Sequence, residues 1–455
     1  MPSVSSRSSR SPRSSGSSSP WRDSDFRRLW LGQTASQVGE HTSLVVLPLV
    51  AVLTLHADAG QLGALRAVGQ APILLFALFA GAWVDRWRTR TVMVLTDAGR
   101  ALALGGAAVA ALLGAAGLPL LLAVAFAVGV LSVFFDVAYQ ASLVRLVARD
   151  QLVRGNSALE GSRSAAQIGG PALGGALVSV LSAAAGVAAG AVFFGVSFLS
   201  IRRIRRVEAL PERESFPDGR AGRAGRAGCD GCAGPAGRAP SVWRRIHEGL
   251  RFVVRDAALR TVGLASAAFQ FSFAALMTVY LLFLPRELHL SGTAVGLALA
   301  ATGPGALLGS LLAARLPGRF GYGTVLVCAA ALGDGVLLCL PVLHGPATVT
   351  VPVLLAVNFV FGVFGQLVNV TVMAVRQALT PDGMQGRAAA TITFAGMGTT
   401  PLGSLLGGWL AGEWGLRTAL LVTAVGMMAS PVLMALSPLA RLGKTLPVAP
   451  VRCVR

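Results

Sequence analysis

The sequence has few charged residues and no cysteine framework. Aspartate, glutamate, lysine and arginine make up 13% of its 455 residues, whereas soluble domains average roughly 25%. Its five cysteines are scattered: Cys328 and Cys339 lie in an apolar stretch, Cys453 lies near the end, and the isolated Cys229/Cys232 pair is weak evidence for a metal. The composition argues against a soluble domain, and no disulfide, metal or other cofactor is predicted.

Motifs for catalysis and secretion are also missing. The sequence contains no Gly-x-x-x-x-Gly-Lys-Ser/Thr loop for nucleotide phosphates and no clustered nucleophile or metal-ligand motif, so neither an ATPase nor another enzyme is expected. Residues 1–20 lack the apolar core of a secretory signal. We expect residues 1–28 to form a disordered cytoplasmic tail, with a basic transit peptide as the alternative.

Long apolar stretches are abundant, and 54% of the residues are hydrophobic. A helix of about 20 residues crosses a hydrocarbon core about 30 Å thick, and lipid offers the backbone no other hydrogen-bond partners. The sequence therefore predicts an all-α integral membrane protein with twelve transmembrane helices, at 29–55, 62–84, 91–114, 118–140, 157–180, 184–201, 261–285, 294–314, 324–343, 350–374, 388–411 and 417–439.

The basic residues indicate the topology. When the loops are assigned alternately to two sides, Arg286 and Arg417 fall on one side, Arg66, Arg100 and Arg163 lie in or beside spans, and the rest of the 39 lysines and arginines fall on the other side. Basic loops remain cytoplasmic. We therefore expect a multi-pass protein of the cell inner membrane with both termini cytoplasmic. The net charge of +19 belongs to these loops and forms no nucleic-acid-binding stripe.

The chain also repeats itself, with offsets of 229, 233 and 230 residues. The corresponding positions are 81–86 and 310–315, Phe126–Gly129 and Phe359–Gly362, and Pro171 and Pro401. Parallel halves around a site near the middle of the membrane are typical of one large class of secondary transporters. The predicted organisation is two pseudo-symmetric six-helix bundles, at 29–201 and 258–440.

A charged stretch, 202–257, separates the two bundles, and a short cytoplasmic tail, 441–455, follows the second. The middle of the stretch is too rich in Gly, Ala and Arg to pack, so we expect a flexible cytoplasmic linker. After it, Val242, Ile246 and Leu250 recur at helical spacing among arginines. This pattern predicts a helix that lies on the inner membrane surface, with an ordinary solvated helix as the alternative.

Twelve spans in two halves resemble the major facilitator superfamily, and two motifs support the resemblance. GAWVDRWRTR, at 81–90, is similar to that family's cytoplasmic loop motif Gly-x-x-x-Asp-Arg, although Arg88 stands where many members have glycine and the second copy at 310–319 has no acid. The stretch 134–159 resembles the bacterial branch of macrolide and enterobactin exporters. The fifth-span signature of exporters, Gly-Pro-x-x-Gly-Gly, is matched at Gly170, Pro171, Gly174 and Gly175.

The glycines and the proline of this signature predict a bend and a contact face between the halves; static small-residue packing is the alternative. The loop motif implies a cytoplasmic gate. Asp85 would lie near Asp136, with Arg86 and Arg90 as bridges; otherwise these arginines only fix the topology. Further gate residues are Gly81 and the pair Glu160 and Arg163, for which an interfacial ion pair is favoured.

Glu40 is the leading candidate for proton coupling. It lies about a dozen residues into span 1, roughly 18 Å along the helix, where a carboxylate is unfavourable unless it is protonated or paired with a cation. A structural acid is the alternative, and the adjacent His41 is a weaker candidate. Glu40, His41, Asp97 and Arg100 are assigned to the proton-coupling or substrate cavity, although the spacing of Asp97 and Arg100 favours a structural pair.

Scattered polar residues in the second half complete the predicted cavity: Asp334, Asn358, Gln366 and Asn369, with Gln270 and Tyr280. For Asp334, a hydrogen bond to a neighbouring helix is the alternative. Their sparseness suits an amphipathic solute better than a sugar. The sequence thus predicts a monomeric, proton-driven exporter of small amphipathic molecules, such as drugs, macrolides or siderophores. A same-fold importer of a metabolite, a membrane sensor without transport and a membrane-embedded enzyme are the alternatives.

Overall fold

The computed structural model describes residues 21, 23–84, 87–146, 152–205, 242–381 and 384–445. Within these ranges the chain forms helices joined by short connections, and no β-strand is present. The predicted tail at 1–20, most of the linker, residues 446–455, and the gate residues Asp85 and Arg86 lie outside the described residues.

The first half consists of six long helices that run alternately up and down. Asp23 and Ser182 begin the first and the last by accepting hydrogen bonds from backbone N–H groups of the first turn, which otherwise have no partner in a helix. The helices are α1 (Ser24–Leu53), α2 (Ala59–Val84), α3 (Thr89–Leu112), α4 (Leu118–Leu146), α5 (Leu152–Val180) and α6 (Ala183–Arg202).

The second half has the same plan, with several spans interrupted. A short 3₁₀ segment, Leu337–Val342, completes the ninth span. Breaks of one residue divide the eighth and twelfth spans, and a break of two residues divides the eleventh. The helices are α7 (Val242–Arg255), α8 (Ala257–Arg286), α9 (Gly292–Ala300), α10 (Thr302–Ala313), α11 (Leu316–Phe320), α12 (Tyr322–Val336), α13 (Ala347–Leu379), α14 (Gln385–Met397), α15 (Thr400–Trp414), α16 (Leu416–Met427) and α17 (Ala429–Ala435).

Each of the twelve predicted spans coincides with one of these helices or with a consecutive pair. Nine helical segments in the described part of the chain are long and apolar enough to cross a membrane. The other three predicted spans are α2, α5 and the α14–α15 pair. Charged residues such as Glu160 and Arg163 lower the mean hydropathy of α5, which is nevertheless packed against α1, α6 and α9.

Matching glycine contacts confirm that the two halves are related. A Cβ atom on Gly129 of α4 would collide with the carbonyl oxygen of Gly69 on α2, and a Cβ atom on Gly362 of α13 would collide with that of Thr302 on α10. Glycine permits this close approach of two helix backbones. The sequence repeat thus corresponds to the same helix crossing in each half.

The two halves meet closely at one end of the molecule, which we call the far end because it lies opposite the start of α1. There, a Cβ atom on Gly63 of α2 would lie 2.8 Å from the carbonyl oxygen of Ser404 on α15. Arg286, at the end of α8, donates hydrogen bonds to the carbonyl oxygens of His56 and Ala57 in the α1–α2 connection. The largest buried apolar cluster continues across this contact.

The opposite end, the near end, holds the start of α1 and the last described residues. Tyr322, at the start of α12, donates a backbone hydrogen bond of 3.0 Å to Gly443. The helix predicted after the linker is present as α7, which packs against α8 and α14. Its Val253 is buried, whereas Leu250 and Val254 are half-exposed. The described part of the chain therefore leaves Leu250 and Val254, on the apolar side of α7, uncovered.

Candidate functional site

A buried ion pair lies inside the first half. Asp97 and Arg100 are one turn apart on α3, form a direct ion pair and expose no side-chain surface. Ser197 of α6 donates to Asp97 Oδ2 at 2.5 Å. Arg100 donates to Ser36 Oγ of α1 at 3.0 Å and to Ser132 Oγ of α4 at 3.2 Å. The pair thus connects α3 to three neighbouring helices.

Two aromatic rings enclose the Arg100 guanidinium. Its carbon atom lies 4.3 Å from the ring centres of both Phe135 and Phe194, which are themselves fully buried. Such contacts between a cation and ring faces are favourable. Because neither Asp97 nor Arg100 reaches a free surface, their assignment to a cavity wall is wrong for this conformation, and the structural-pair interpretation fits.

Glu40 lies at the centre of a second group of charges. It is roughly 24 Å from the start of α1 at 1.5 Å per residue, and it is partly exposed. It lies close enough to Asp136, Arg100 and Arg163 for their charges to interact. No hydrogen bond or ion pair holds the Glu40 carboxylate within the described residues. The side chain predicted for proton coupling is thus flanked by two acids, Asp136 and Asp97, and by two arginines.

Asp136 lies deeper than the sequence analysis placed it. The helix α4 continues to Leu146, six residues past its predicted end, so Asp136 lies about 15 Å inside that end. Its charge interacts with those of Arg100 and Arg163. Arg90, its expected bridge, donates a hydrogen bond of 2.5 Å to the carbonyl oxygen of Arg202. Asp136 therefore belongs with the Glu40 group in the membrane interior and not with a gate at the helix ends.

The predicted Glu160–Arg163 ion pair is absent. Both side chains belong to the described residues and are exposed, and no ion pair within 4.0 Å joins them. Arg163 instead interacts by charge with Glu40, Asp136 and His41. Arg163 lies about 17 Å into α5, which places it near the depth of the Glu40 group and away from the membrane surface. This depth explains why Arg163 does not form the predicted interfacial pair.

The glycine signature forms two contact faces on α5. On one face, a Cβ atom on Gly170 would lie 2.5 Å from His41 Cβ, and one on Gly174 would lie 3.0 Å from the carbonyl oxygen of Thr42. Thr42 donates a hydrogen bond of 3.3 Å to the Gly170 carbonyl oxygen. His41 is half-buried in this contact. This face joins α5 to α1 within the first half.

The other face of the signature crosses to the second half. A Cβ atom on Gly175 would lie 2.8 Å from the Cα of Gly296 on α9, and one on Gly296 would lie 2.5 Å from the carbonyl oxygen of Pro171. Ser179, one turn further along α5, accepts a hydrogen bond of 2.7 Å from the backbone of Thr293. The α-helix continues through Pro171 without interruption. The expected contact between the halves is present at this motif.

The second half encloses a cavity of about 410 Å³. Asp334, Asn369, Gln270 and Arg376 line it among mostly apolar side chains from α8, α12, α13, α14 and α17. Asp334 and Asn369 are therefore placed where the sequence analysis expected them. The cavity lies in the interior of the second half, on the near side of the contact between the halves.

Two predicted cavity residues have other surroundings. Asn358 is buried and donates hydrogen bonds to the Tyr280 hydroxyl at 2.8 Å and to the carbonyl oxygen of Leu354 at 2.9 Å. Gln366 lies against α10, where a Cβ atom on Gly309 would lie 3.1 Å from its Cβ. The cavity assignment is wrong for both in this conformation, because the long helix α13 turns these positions towards other helices.

A pair of polar residues on α2 was not predicted from the sequence. Arg66 and Gln70 are one turn apart, and the Nε of Arg66 and the Oε1 of Gln70 are buried without a hydrogen-bond partner among the described residues. A buried polar atom without a partner costs about 1–3 kcal/mol. The signal was present as an arginine inside an apolar span, but the sequence does not reveal which helix faces it.

Two related six-span halves, each with ionisable side chains in its interior, define a membrane transporter built from two related bundles. The sequence profile of the Major Facilitator Superfamily matches residues 29–284 and 262–449. The chain belongs to this family, and it is a multi-pass membrane protein of the transporter class.

Two relatives carry the same name. The "Multidrug efflux pump Tap" of Mycobacterium tuberculosis is 28% identical over 413 residues, which cover 85% of this chain and 87% of that protein. The pump of the same name from Mycolicibacterium fortuitum is 25% identical over 407 residues, covering 86% and 90%.

Solved structures share the fold at lower identity. A bacterial homologue of the iron transporter ferroportin in an inward-facing state has a TM-score of 0.69 at 17% identity and covers 90% of this chain and 97% of its own. The nucleoside transporter NupG has a TM-score of 0.67 at 12% identity and covers 90% and 98%. These structures support the fold alone.

Proposed function

We propose that the protein is a proton-driven exporter of small amphipathic molecules of the drug, macrolide or siderophore class. Its relatives named multidrug efflux pumps support export. The basic loops support an inner-membrane orientation with both termini cytoplasmic. In that orientation the near end faces the cytoplasm and the far end faces outward. The contacts described between the halves then belong to an inward-facing state, from which a solute is collected.

The observation that carries the proposal is the position of Glu40. Its carboxylate is partly exposed, lacks a hydrogen bond among the described residues and shares its surroundings with Asp136, Arg100 and Arg163. When a proton binds Glu40, the repulsion between Glu40 and Asp136 disappears. The attraction between Glu40 and the two arginines disappears as well. One proton therefore changes the charge balance in the middle of the membrane, where transporters couple ion and solute.

The cycle follows from alternating access. Solute enters from the cytoplasm, the halves rock, and the far-end contacts at Gly63 and Gly175 separate to release it outward. Glu40 then takes a proton from the outer side and gives it up inside after the halves return. The near-end residues Gly81, Asp85, Arg86 and Arg90 latch the outward-facing state, with Asp136 and Arg163 as deeper charges of the same half.

Glu40→Gln tests the proposal because it keeps the shape of the side chain and removes the titratable group. We expect inverted vesicles with an acidic interior to accumulate erythromycin or ethidium through the wild type. The rate should fall at least tenfold in Glu40→Gln. Glu413→Gln, the same change at an exposed position on α15, should leave the rate unchanged.

The other outcomes separate the alternatives. Equal rates in wild type and Glu40→Gln would refute the assignment of Glu40. Movement of solute out of inverted vesicles would indicate an importer. If no member of a drug panel moves and the pH gradient has no effect, the transport proposal fails and a sensor becomes the better interpretation.

A further inference from the structure

The cavity of the second half contains a carboxylate that has no partner. Asp334 is 4% exposed, and no hydrogen bond, ion pair or neighbouring charge engages it among the described residues. A buried polar group normally has a hydrogen-bond partner in the protein or an ordered water. Asp334 lines the cavity of about 410 Å³, whose volume is within the range of roughly 300–1,000 Å³ typical of small-molecule sites.

The walls of this cavity suit an apolar body. Phe269 lines it, and its ring stacks on Phe273 with ring centres 5.5 Å apart, so the aromatic surface is held in place. Met397 and Met434 also line it, and flexible methionine side chains adapt to ligands of different shape. Gln270 and other polar groups interrupt an otherwise apolar surface.

The two charged groups of the cavity lie at different depths. Asp334 is about 18 Å from the near end of α12, whereas Arg376 is only about 5 Å from the near end of α13. Arg376 also contacts its own helix through the sulfur atom of Met373, at 2.9 Å. A group that reaches the inner part of the cavity therefore meets the carboxylate and not the guanidinium.

We propose that this cavity is a binding site for an organic cation with an apolar body, whose positive charge is neutralised by Asp334. The aromatic face of Phe269 gives the cation a second favourable contact, and the methionines pack against its apolar part. The inference rests on the proposed function, since it names the substrate class of the exporter. A merely structural acid would be expected to have a hydrogen-bond partner, and Asp334 has none in the described structure.

Binding to the purified protein tests this inference without a proton gradient. Equilibrium dialysis measures the dissociation constant of tetraphenylphosphonium, a permanent cation, and of the neutral triphenylphosphine oxide. We expect Asp334→Asn to weaken binding of the cation at least tenfold and to leave binding of the neutral compound unchanged. Asp334→Glu should keep most of the affinity. Melting temperatures close to that of the wild type show that the variants are folded.

Glu413→Gln is the matched control. It removes a carboxylate at an exposed position on α15, outside the cavity, and should leave cation binding unchanged. Equal affinity of wild type and Asp334→Asn for the cation, or no cation binding by the wild type, would overturn the inference. A loss in Glu413→Gln as large as the loss in Asp334→Asn would also overturn it, because the effect would then come from net charge and not from contact.

The test also separates this inference from the proposed function. Suppose that Asp334→Asn loses cation binding but transport depends neither on Glu40 nor on the proton gradient. The binding site at Asp334 would then be supported, and proton coupling through Glu40 would be rejected. If Asp334→Asn binds the cation as the wild type does, and proton-driven transport requires Glu40, the binding site would be rejected and the proposed export function would be supported.

Discussion

Single charged residues inside the first half are compensated in two ways. Asp97 is neutralised by direct contact with Arg100 and accepts a hydrogen bond from the hydroxyl of Ser197, inside a buried network. Glu40 is compensated only by the nearby charges of Arg100 and Arg163. A proton can therefore reach and leave Glu40 without breaking a hydrogen bond of the described structure, whereas any change at Asp97 disrupts four helices.

The buried pair predicts non-additive effects on stability. Asp97→Asn leaves the charge of Arg100 buried and unpaired, and Arg100→Met leaves that of Asp97 buried and unpaired. Loss of one partner of such a pair lowers the free energy of unfolding by about 3–5 kcal/mol. The double variant should lose less than the sum of the two single variants, because no lone charge remains. Thermal unfolding in detergent, followed by intrinsic fluorescence, measures all three.

Ser132→Ala is the control for that cycle, since it removes one hydrogen bond to Arg100 worth about 1 kcal/mol and leaves the ion pair. Strictly additive losses would show that Asp97 and Arg100 do not interact energetically.

The residue scale also shows what the sequence can and cannot predict. The spacing of Asp97 and Arg100 predicts their pairing, because residues three apart share a helix face. Their enclosure by Phe135 and Phe194 was not predictable, since these residues look like ordinary apolar positions on distant helices. The surroundings of Asn358 and Gln366 were missed for the same reason: a single sequence does not give helix rotation.

At the scale of helices, α5 packs closely against α1 on one face and against α9 on another. Successive residues are about 100° apart around a helix, so Gly170 and Gly174 face α1 while Gly175 faces α9. The first contact holds α5 within its own half. The second contact is the one that must open when the halves move.

A single methyl group should distinguish these roles. Gly175→Ala places a Cβ atom against the backbone of Gly292 and Gly296, which cannot rotate away. We expect the far-end contact to separate and transport to fall at least tenfold. Gly169→Ala, on the same helix, meets nothing within 4 Å and should be neutral, or stabilising by up to about 1 kcal/mol as alanine favours helix.

Vesicle transport of the same drugs and melting temperatures measure both variants. Full activity in Gly175→Ala would show that the close contact is dispensable and that static packing is the better description of the motif.

Helix existence was predictable from the sequence, whereas helix ends were not. The apolar runs give all twelve spans because lipid requires a closed backbone hydrogen-bond pattern. The end of α4 at Leu146 was missed because residues 141–146 include Ser142 and Arg145, which read as a loop. Because the predicted end of α4 was too early, the sequence prediction placed Asp136 at the gate instead of in the membrane interior.

At the scale of the whole molecule, an even number of spans places both ends of the chain on one side. The linker between the bundles carries Cys229 and Cys232, which give native handles on that side. If basic loops determine the orientation, the linker is cytoplasmic, and the connection between α12 and α13 at His344 is outside.

Labelling of thiols in intact cells checks this orientation. A variant that retains only Cys229 and Cys232 should react with a membrane-impermeant maleimide after permeabilisation and not before. His344→Cys in a cysteine-free background should react before permeabilisation. The reverse pattern would invert the topology, and the proposed export direction would fail with it.

The bond from Arg286 to the α1–α2 connection has a consequence for mutational tolerance. Its acceptors are the main-chain carbonyl oxygens of His56 and Ala57, so the chemistry of those two side chains is irrelevant to it. His56 has a φ of 52°, a conformation that asparagine or glycine also adopts readily. Substitutions of His56 or Ala57 that preserve the turn should therefore leave this contact between the halves intact. Replacement of Arg286 removes the donor and should abolish the contact.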